Sequence, residues 1–207
     1  MASEREQKLK DDTTDNVQAR QQNRGDGQMR QRFIDVTTRL LREHGMSEVS
    51  TRLICDAVGV KAPTLYYHFA DYSGLLTAVV EHAFERYFER WNGRAIVHDP
   101  YQQIRDGWDT YIAFSQDEPA LYTVVAHQNL NGELPQAFMF EHDKLIEMLR
   151  AIGATQPLRY QPEIGAQILT AACIGVASML AAQQHGLPLA PELSAAAREA
   201  VLSSLIL

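Results

Sequence analysis

The chain has 207 residues, 45% of them hydrophobic, which is enough for one extended domain or two small ones with a buried core. Its formal net charge of -7 excludes a surface coated throughout in positive charge, and its two cysteines exclude a disulfide framework. The acid excess falls after residue 92, so a local surface in the earlier part can still meet phosphate.

Residues 1–27 are polar, with Leu9 and Val17 as their only large aliphatics. A segment that buries so little cannot offset its ordering entropy, so it reads as a disordered arm. No apolar run follows its charged start, so no secretory signal is expected. From Arg30 a helical period sets in, with Phe33, Val36, Thr37, Leu40 and Leu41 on one face and His44-Gly45 at its end. Ser50 is the expected cap of a short helix running to Val58. Gly59 then makes a tight turn, Val60 plugs between helices, and a further helix covers Ala62 to Phe69. In the first of these short helices, Leu53 or Ile54, Ala57 and Val58 are expected to face inward; in the second, Leu65 and Phe69. Asp71 caps a longer helix that carries Leu75, Leu76, Val79, Val80, Ala83, Phe84, Tyr87, Phe88 and Trp91.

The rest is helical by pattern, broken at Asp99-Pro100, near Pro119, and at Gly132–Pro135, Gly153–Pro162 and Gly186–Pro191. No convincing alternating strand and no internal repeat is evident, which predicts an all-α chain of nine or ten helices. The expected organisation is an arm (1–27), a three-helix helix-turn-helix DNA-binding domain (28–73) and a C-terminal helical bundle for ligand binding and dimerisation (74–207).

The informative string is TRLICDAVGVKAPTLYYHF, Thr51 to Phe69. Two short helices flank a Gly-Val turn, leaving Lys61, Pro63, Thr64, Tyr67 and His68 on or near the outer face. Side chains of this size and polarity suit a helix that reads the major groove, while the preceding helix clamps phosphate. The residues Leu40-Leu41-Arg42-Glu43-His44-Gly45, Ser50, Ile54, Ala57, Gly59-Val60, Pro63-Thr64-Leu65-Tyr66-Tyr67-His68-Phe69 and Leu75-Leu76 stand in one order at one spacing. In that set, from Arg30 to about Ala83, the chain closely resembles the TetR family of bacterial regulators. The resemblance implies that Tyr66 supports the reading helix and reaches phosphate. It implies that Thr64, Tyr67 and His68 contact bases or backbone, and that Lys61 and Pro63 contact the duplex where that helix starts. Arg52 holds a position that often meets phosphate or base in the family. Tyr72 stands where the family usually has a phosphate-holding lysine. A tyrosine hydroxyl can donate to phosphate, but without the long-range charge, so affinity is expected to be weaker or less salt-dependent.

Residues 100–152 are rich in large apolar groups. Trp108, Tyr111, Phe114, Tyr122, Phe138 and Met139, with His142, are the expected lining of a cavity for a hydrophobic or aromatic small molecule. His127, Gln128, Asn129 and Asp143 are further polar groups on the same helices. No metal-ligand spacing, GxSxG, GxGxxG or Walker loop is present, so neither an enzyme nor a metal or cofactor site is expected. Cys55 and Cys173 read as small buried hydrophobes in a reducing cytoplasm, with a redox pair as the alternative.

The segment Glu163 to Gln184 is long and almost free of charge. Its apolar run, Ile164 to Ala182, reads as a packed helix and not a membrane span, for it lacks basic flanks and an aromatic belt. Small residues narrow it while Ile168, Met179 and their neighbours supply more apolar surface than one bundle face needs. Together with a second stripe from Leu193 to Leu207, it predicts a four-helix interface between two copies, using Ile168, Ala172, Gly175, Met179, Val201 and Leu205. The reading that follows is a cytoplasmic homodimeric repressor on a palindromic operator in double-stranded DNA, released by a ligand. An activator or co-repressor-dependent regulator with the same heads is the first alternative. A helical ligand-binding protein without DNA binding is the second.

Overall fold

A computed structural model describes residues 24–92, 99–133, 136–182 and 189–207. Among these residues there are nine helices and no strand, only an isolated bridge between Leu158 and Ile206. The chain divides into two compact units, Met1–Val79 and Val80–Leu207. Most of the expected arm, residues 1–23, lies outside the described residues, as do parts of the breaks before Pro135 and after Gly186.

In the first unit, α1 covers residues 24–44, so it begins inside the stretch expected to be an arm. It buries Phe33, Ile34, Thr37, Leu40 and Leu41 and ends at Gly45, whose φ of 73° a glycine adopts without a Cβ clash. α2 (Thr51–Val58) starts where expected, because the Ser50 hydroxyl accepts from the amide of Leu53 at 3.3 Å. It ends at Gly59, with φ 80°. Ile54, Cys55 and Val58 face the core. Ala57, expected to face inward, is exposed: over the two turns of α2 the inward arc falls on 54, 55 and 58. α3 (Ala62–Phe69) buries Leu65 and Phe69, and the Phe69 ring meets Phe33 edge-on at 5.7 Å.

The corner from α3 into α4 (Tyr72–Asn92) is unusually tight. Ala70 takes φ 63° and ψ -52°, and the amide of Asp71 donates back to the carbonyl of Phe69 at 2.7 Å. This is a γ-turn of the rare positive-φ form, a strained conformation for a residue with a Cβ. The Asp71 carboxylate then accepts from the Gly74 amide at 2.7 Å, the expected cap. Gly74 is needed for space: a Cβ there would stand 2.2 Å from the Phe69 carbonyl oxygen.

The second unit holds the rest of α4 and α5 (Pro100–Asp117), α6 (Pro119–Leu130), α7 (Gln136–Gly153), α8 (Pro162–Ala182) and α9 (Leu193–Ser204). Prolines open α5, α6 and α8 at the first helical position, where a missing N–H costs nothing. α8 is central, packed against α5, α7 and α9. It is long and apolar enough to cross a membrane, and only a third of its apolar stretch is buried within the chain.

α5 is fastened to α9 by polar contacts at three residues. Arg105 donates to both carboxylate oxygens of Glu199, at 2.9 and 2.8 Å. The Trp108 indole donates to the Ser194 hydroxyl at 2.9 Å, and Arg198 donates to Asp109. The hydrogen bonds from Arg105 are the main reason the Glu199 carboxyl is held at about 2, below its ordinary 4.5. A depressed carboxylate contributes stability above its unfolded value and loses it as pH falls through the folded one. Glu199→Gln should therefore lower thermal stability at neutral pH and make it fall less steeply between pH 4.5 and about 2. Calorimetry across that range gives the test, and an unchanged acid limb would remove the assignment.

Candidate nucleic-acid interface and ligand cavity

The expected reading face gathers on α3 and the turn before it. Tyr67 is 71% exposed and Tyr66 49% exposed, unusual for aromatic rings inside a compact unit. Lys61 and Pro63 are exposed, and Thr64 is half-buried at the start of the helix. Lys61 holds the cap position in extended backbone. His68 is half-buried, its ring 5.0 Å from Tyr67 and 6.1 Å from Phe33, which limits how far it can reach outward. The Tyr67 hydroxyl donates to Asp26 on α1 at 3.4 Å. Arg52 on α2 is 92% exposed, with Asp56 at 3.8 Å as its helical neighbour.

Tyr72 departs from expectation. Its hydroxyl donates to the carbonyl of Val49 at 2.8 Å, and burial raises its pKa. The one proton that was to meet phosphate is already engaged, so Tyr72 fixes the start of α4 against the loop before α2. Sequence spacing placed this residue correctly and could not show what its hydroxyl would find.

The second unit holds a partly open cavity of about 130 Å³. Of the seven residues expected to line it, Trp108, Tyr111, Phe138 and His142 do so. Phe114 is fully buried against Phe84, 4.4 Å between rings, and belongs to the packed core. Tyr122 turns its hydroxyl to Ser178, at 2.8 Å, and does not line the cavity. Met139 lies 51% exposed on the outside of α7. All three sit on the right helices but point to other neighbours. The lining that sequence reasoning missed includes Phe84, Thr170 and Cys173. A signal existed for Thr170, a hydroxyl set inside the long apolar run of α8. Burial pushes the Cys173 thiol up to about 12, so it is neutral and unreactive.

The apolar stripe of α8 splits between two faces. Leu169, Cys173, Val176 and Ala177 face the core. Ile168 and Ala172 are half-buried, while Gly175 and Met179 are exposed. On α9, Val201 is half-buried. Leu205, expected at an interface between copies, is instead 2% exposed, and its side chain packs over Gly165. The close approach that glycine permits draws it into the core of its own chain.

A helix-turn-helix unit followed by a second, helical unit with a cavity is the architecture of a class of DNA-binding transcription regulators. Residues 33–79 match the family model of bacterial regulatory proteins, tetR family. Beyond those residues the chain has the fold of TetR-family transcription regulators. One solved structure like it is a TetR family transcription regulator from Marinobacter aquaeolei VT8, 16% identical, with a TM-score of 0.61, covering 89% of this chain and 98% of that one. A second is BioQ with its double-stranded DNA operator, 16% identical, TM-score 0.65, covering 84% and 95%. A third is the multidrug binding protein EbrR complexed with imidazole, 19% identical, TM-score 0.61, covering 86% and 90%. No curated protein matches the chain.

Proposed function

We propose that this protein is a cytoplasmic transcriptional repressor that acts as a homodimer on a palindromic operator and is released by a small apolar ligand. The observation that carries the reading is the solvent-facing set on α3, where two large tyrosines stand beside Lys61 and Thr64 above a fully buried Leu65. A stable helix that presents rings and polar groups outward has the chemistry of a groove reader. The fold shared with BioQ, solved with its double-stranded DNA operator, supports this, and the fold shared with the multidrug binding protein EbrR, solved with imidazole, supports a small-molecule partner. Two copies would place two reading helices on half-sites one turn apart, about 34–36 Å. Ligand in the cavity would favour a conformation that fits that spacing badly. The second copy would cover the outward apolar face of α8, which also gives that helix a partner other than lipid. Nothing in this reading calls for catalysis.

Selection of bound duplexes from a random pool should enrich an inverted repeat. Tyr67→Ala should weaken binding to that repeat by about 1–3 kcal/mol, the worth of one good base contact, with thermal stability changed by no more than the loss of one exposed hydrogen bond, about 1 kcal/mol or less. A pool that enriches no motif would end the proposal.

A further inference from the structure

The cavity constrains its occupant more narrowly than apolar character alone. Its volume of about 130 Å³ is close to that of an engineered cavity of about 150 Å³ that takes up benzene. Four rings stand along its wall: Phe84, Trp108, Tyr111 and Phe138. Phe84 and Phe138 meet edge-on at 4.4 Å, and Tyr111 and Phe138 at 5.9 Å. Rings crossed in this way offer edges and faces to one flat guest.

The polar groups around it are nearly all engaged. The Trp108 N–H is bound to Ser194 at 2.9 Å. Tyr111 meets Tyr122 edge-on with ring centroids 6.1 Å apart, and the Tyr122 hydroxyl bonds to Ser178. The Glu141 carboxylate accepts from Lys144 at 2.9 Å, which neutralises the one acid on the wall. No lysine or arginine lines the cavity. A buried anion would find no cation there, and a buried cation would find only a carboxylate already paired. Gln103, also on the wall, has an interaction of its own, and the polar group with a defined free side is His142, whose Nδ1 lies 3.3 Å from the Thr170 hydroxyl. Its Nε2 has no protein partner among the described residues. Where Thr170 donates to Nδ1, Nε2 carries the proton and donates; where Nδ1 donates, Nε2 accepts. A ligand hydroxyl satisfies either tautomer.

Resting on the reading of this cavity as the effector site, we propose that its occupant is an uncharged single-ring aromatic bearing one hydroxyl, a phenol. Its ring lies among the four aromatic side chains and its hydroxyl bonds to Nε2 of His142.

Calorimetric titration of the full chain with phenol, toluene, benzoate and benzylamine tests this. Phenol should bind about 2- to 10-fold more tightly than toluene, the net worth of one hydrogen bond. Benzoate and benzylamine should bind more weakly than toluene. In His142→Leu the phenol preference should vanish while toluene binding persists, which also shows that the cavity still forms. A readout without any variant is the nitrogen resonance of His142 Nε2, which phenol should shift and toluene should not. Equal affinity for phenol and toluene, tighter binding of either charged probe, or no binding of phenol at millimolar concentration would overturn the proposal. Operator binding is measured separately. Phenol that binds and leaves operator affinity unchanged sinks the release reading and keeps the ligand class. Another ligand that releases operator while phenol fails to bind sinks the class alone.

Discussion

Gly175→Arg should abolish subunit association and, with it, tight binding to the full operator. The outward face of α8 runs through Ile164, Ile168, Ala172, Gly175 and Met179, at helical spacing, with Ile164 and Met179 each more than two-fifths exposed. Small residues at its centre allow two helices to approach closely, and the larger ones supply burial. Within the chain itself a Cβ at Gly175 meets nothing within 4 Å. Arginine there leaves the fold of one copy undisturbed, so any effect reports the partner. Placing an unpaired guanidinium in an apolar interface costs about 3 kcal/mol or more, at least about 100-fold in association. Light scattering at micromolar concentration, with thermal unfolding as the control on folding, reads the result. A dimeric variant, or a monomeric wild type that holds the operator tightly, would refute the interface.

Gly74→Ala should be among the most damaging single-methyl changes in the chain. In an ordinary helix this substitution stabilises by about 1 kcal/mol, because alanine loses less backbone freedom than glycine. Here the sign reverses. The new Cβ would lie 2.2 Å from the backbone oxygen of Phe69, and that oxygen cannot step aside while it accepts from Asp71. Opening the corner would break the γ-turn and loosen the seat of α3, a loss of about 2–4 kcal/mol. Ala70→Gly relaxes the same corner and should stabilise it by about 1 kcal/mol. If Gly74→Ala unfolds at the wild-type temperature, the corner is not as tight as described.

Helix ends were the most legible feature of the sequence. Ser50, Gly59, Asp71 and Asp99-Pro100 announce their caps through local chemistry, and the structure uses each one. The outward set on α3 was equally local, since eight residues fix both faces of so short a helix. The Ala70–Gly74 corner was not legible, because its reason is a through-space approach to a carbonyl five residues back. Nor was the sorting of aromatics in the second unit. Trp108, Tyr111 and Phe114 recur on one helix with one period, yet two reach the cavity and the third fills the core against Phe84. Which neighbour each ring meets depends on helix packing that no spacing encodes. Leu205 went the same way: its stripe was visible, and the glycine that admits it lies forty residues earlier.

The three ties from α5 to α9 bear on how stiff the cavity is. Arg105, Trp108 and Asp109 fall within five residues of one helix, and each is anchored to a different residue of α9. A beam pinned at three neighbouring points cannot bow at its middle. A guest too large for the resting space would meet this resistance at Trp108, the one residue that is both wall and rivet. To push that wall back it would have to displace α5 and α9 together. Selectivity for small guests would then come from the rigidity of the frame and would need no group that repels larger ones.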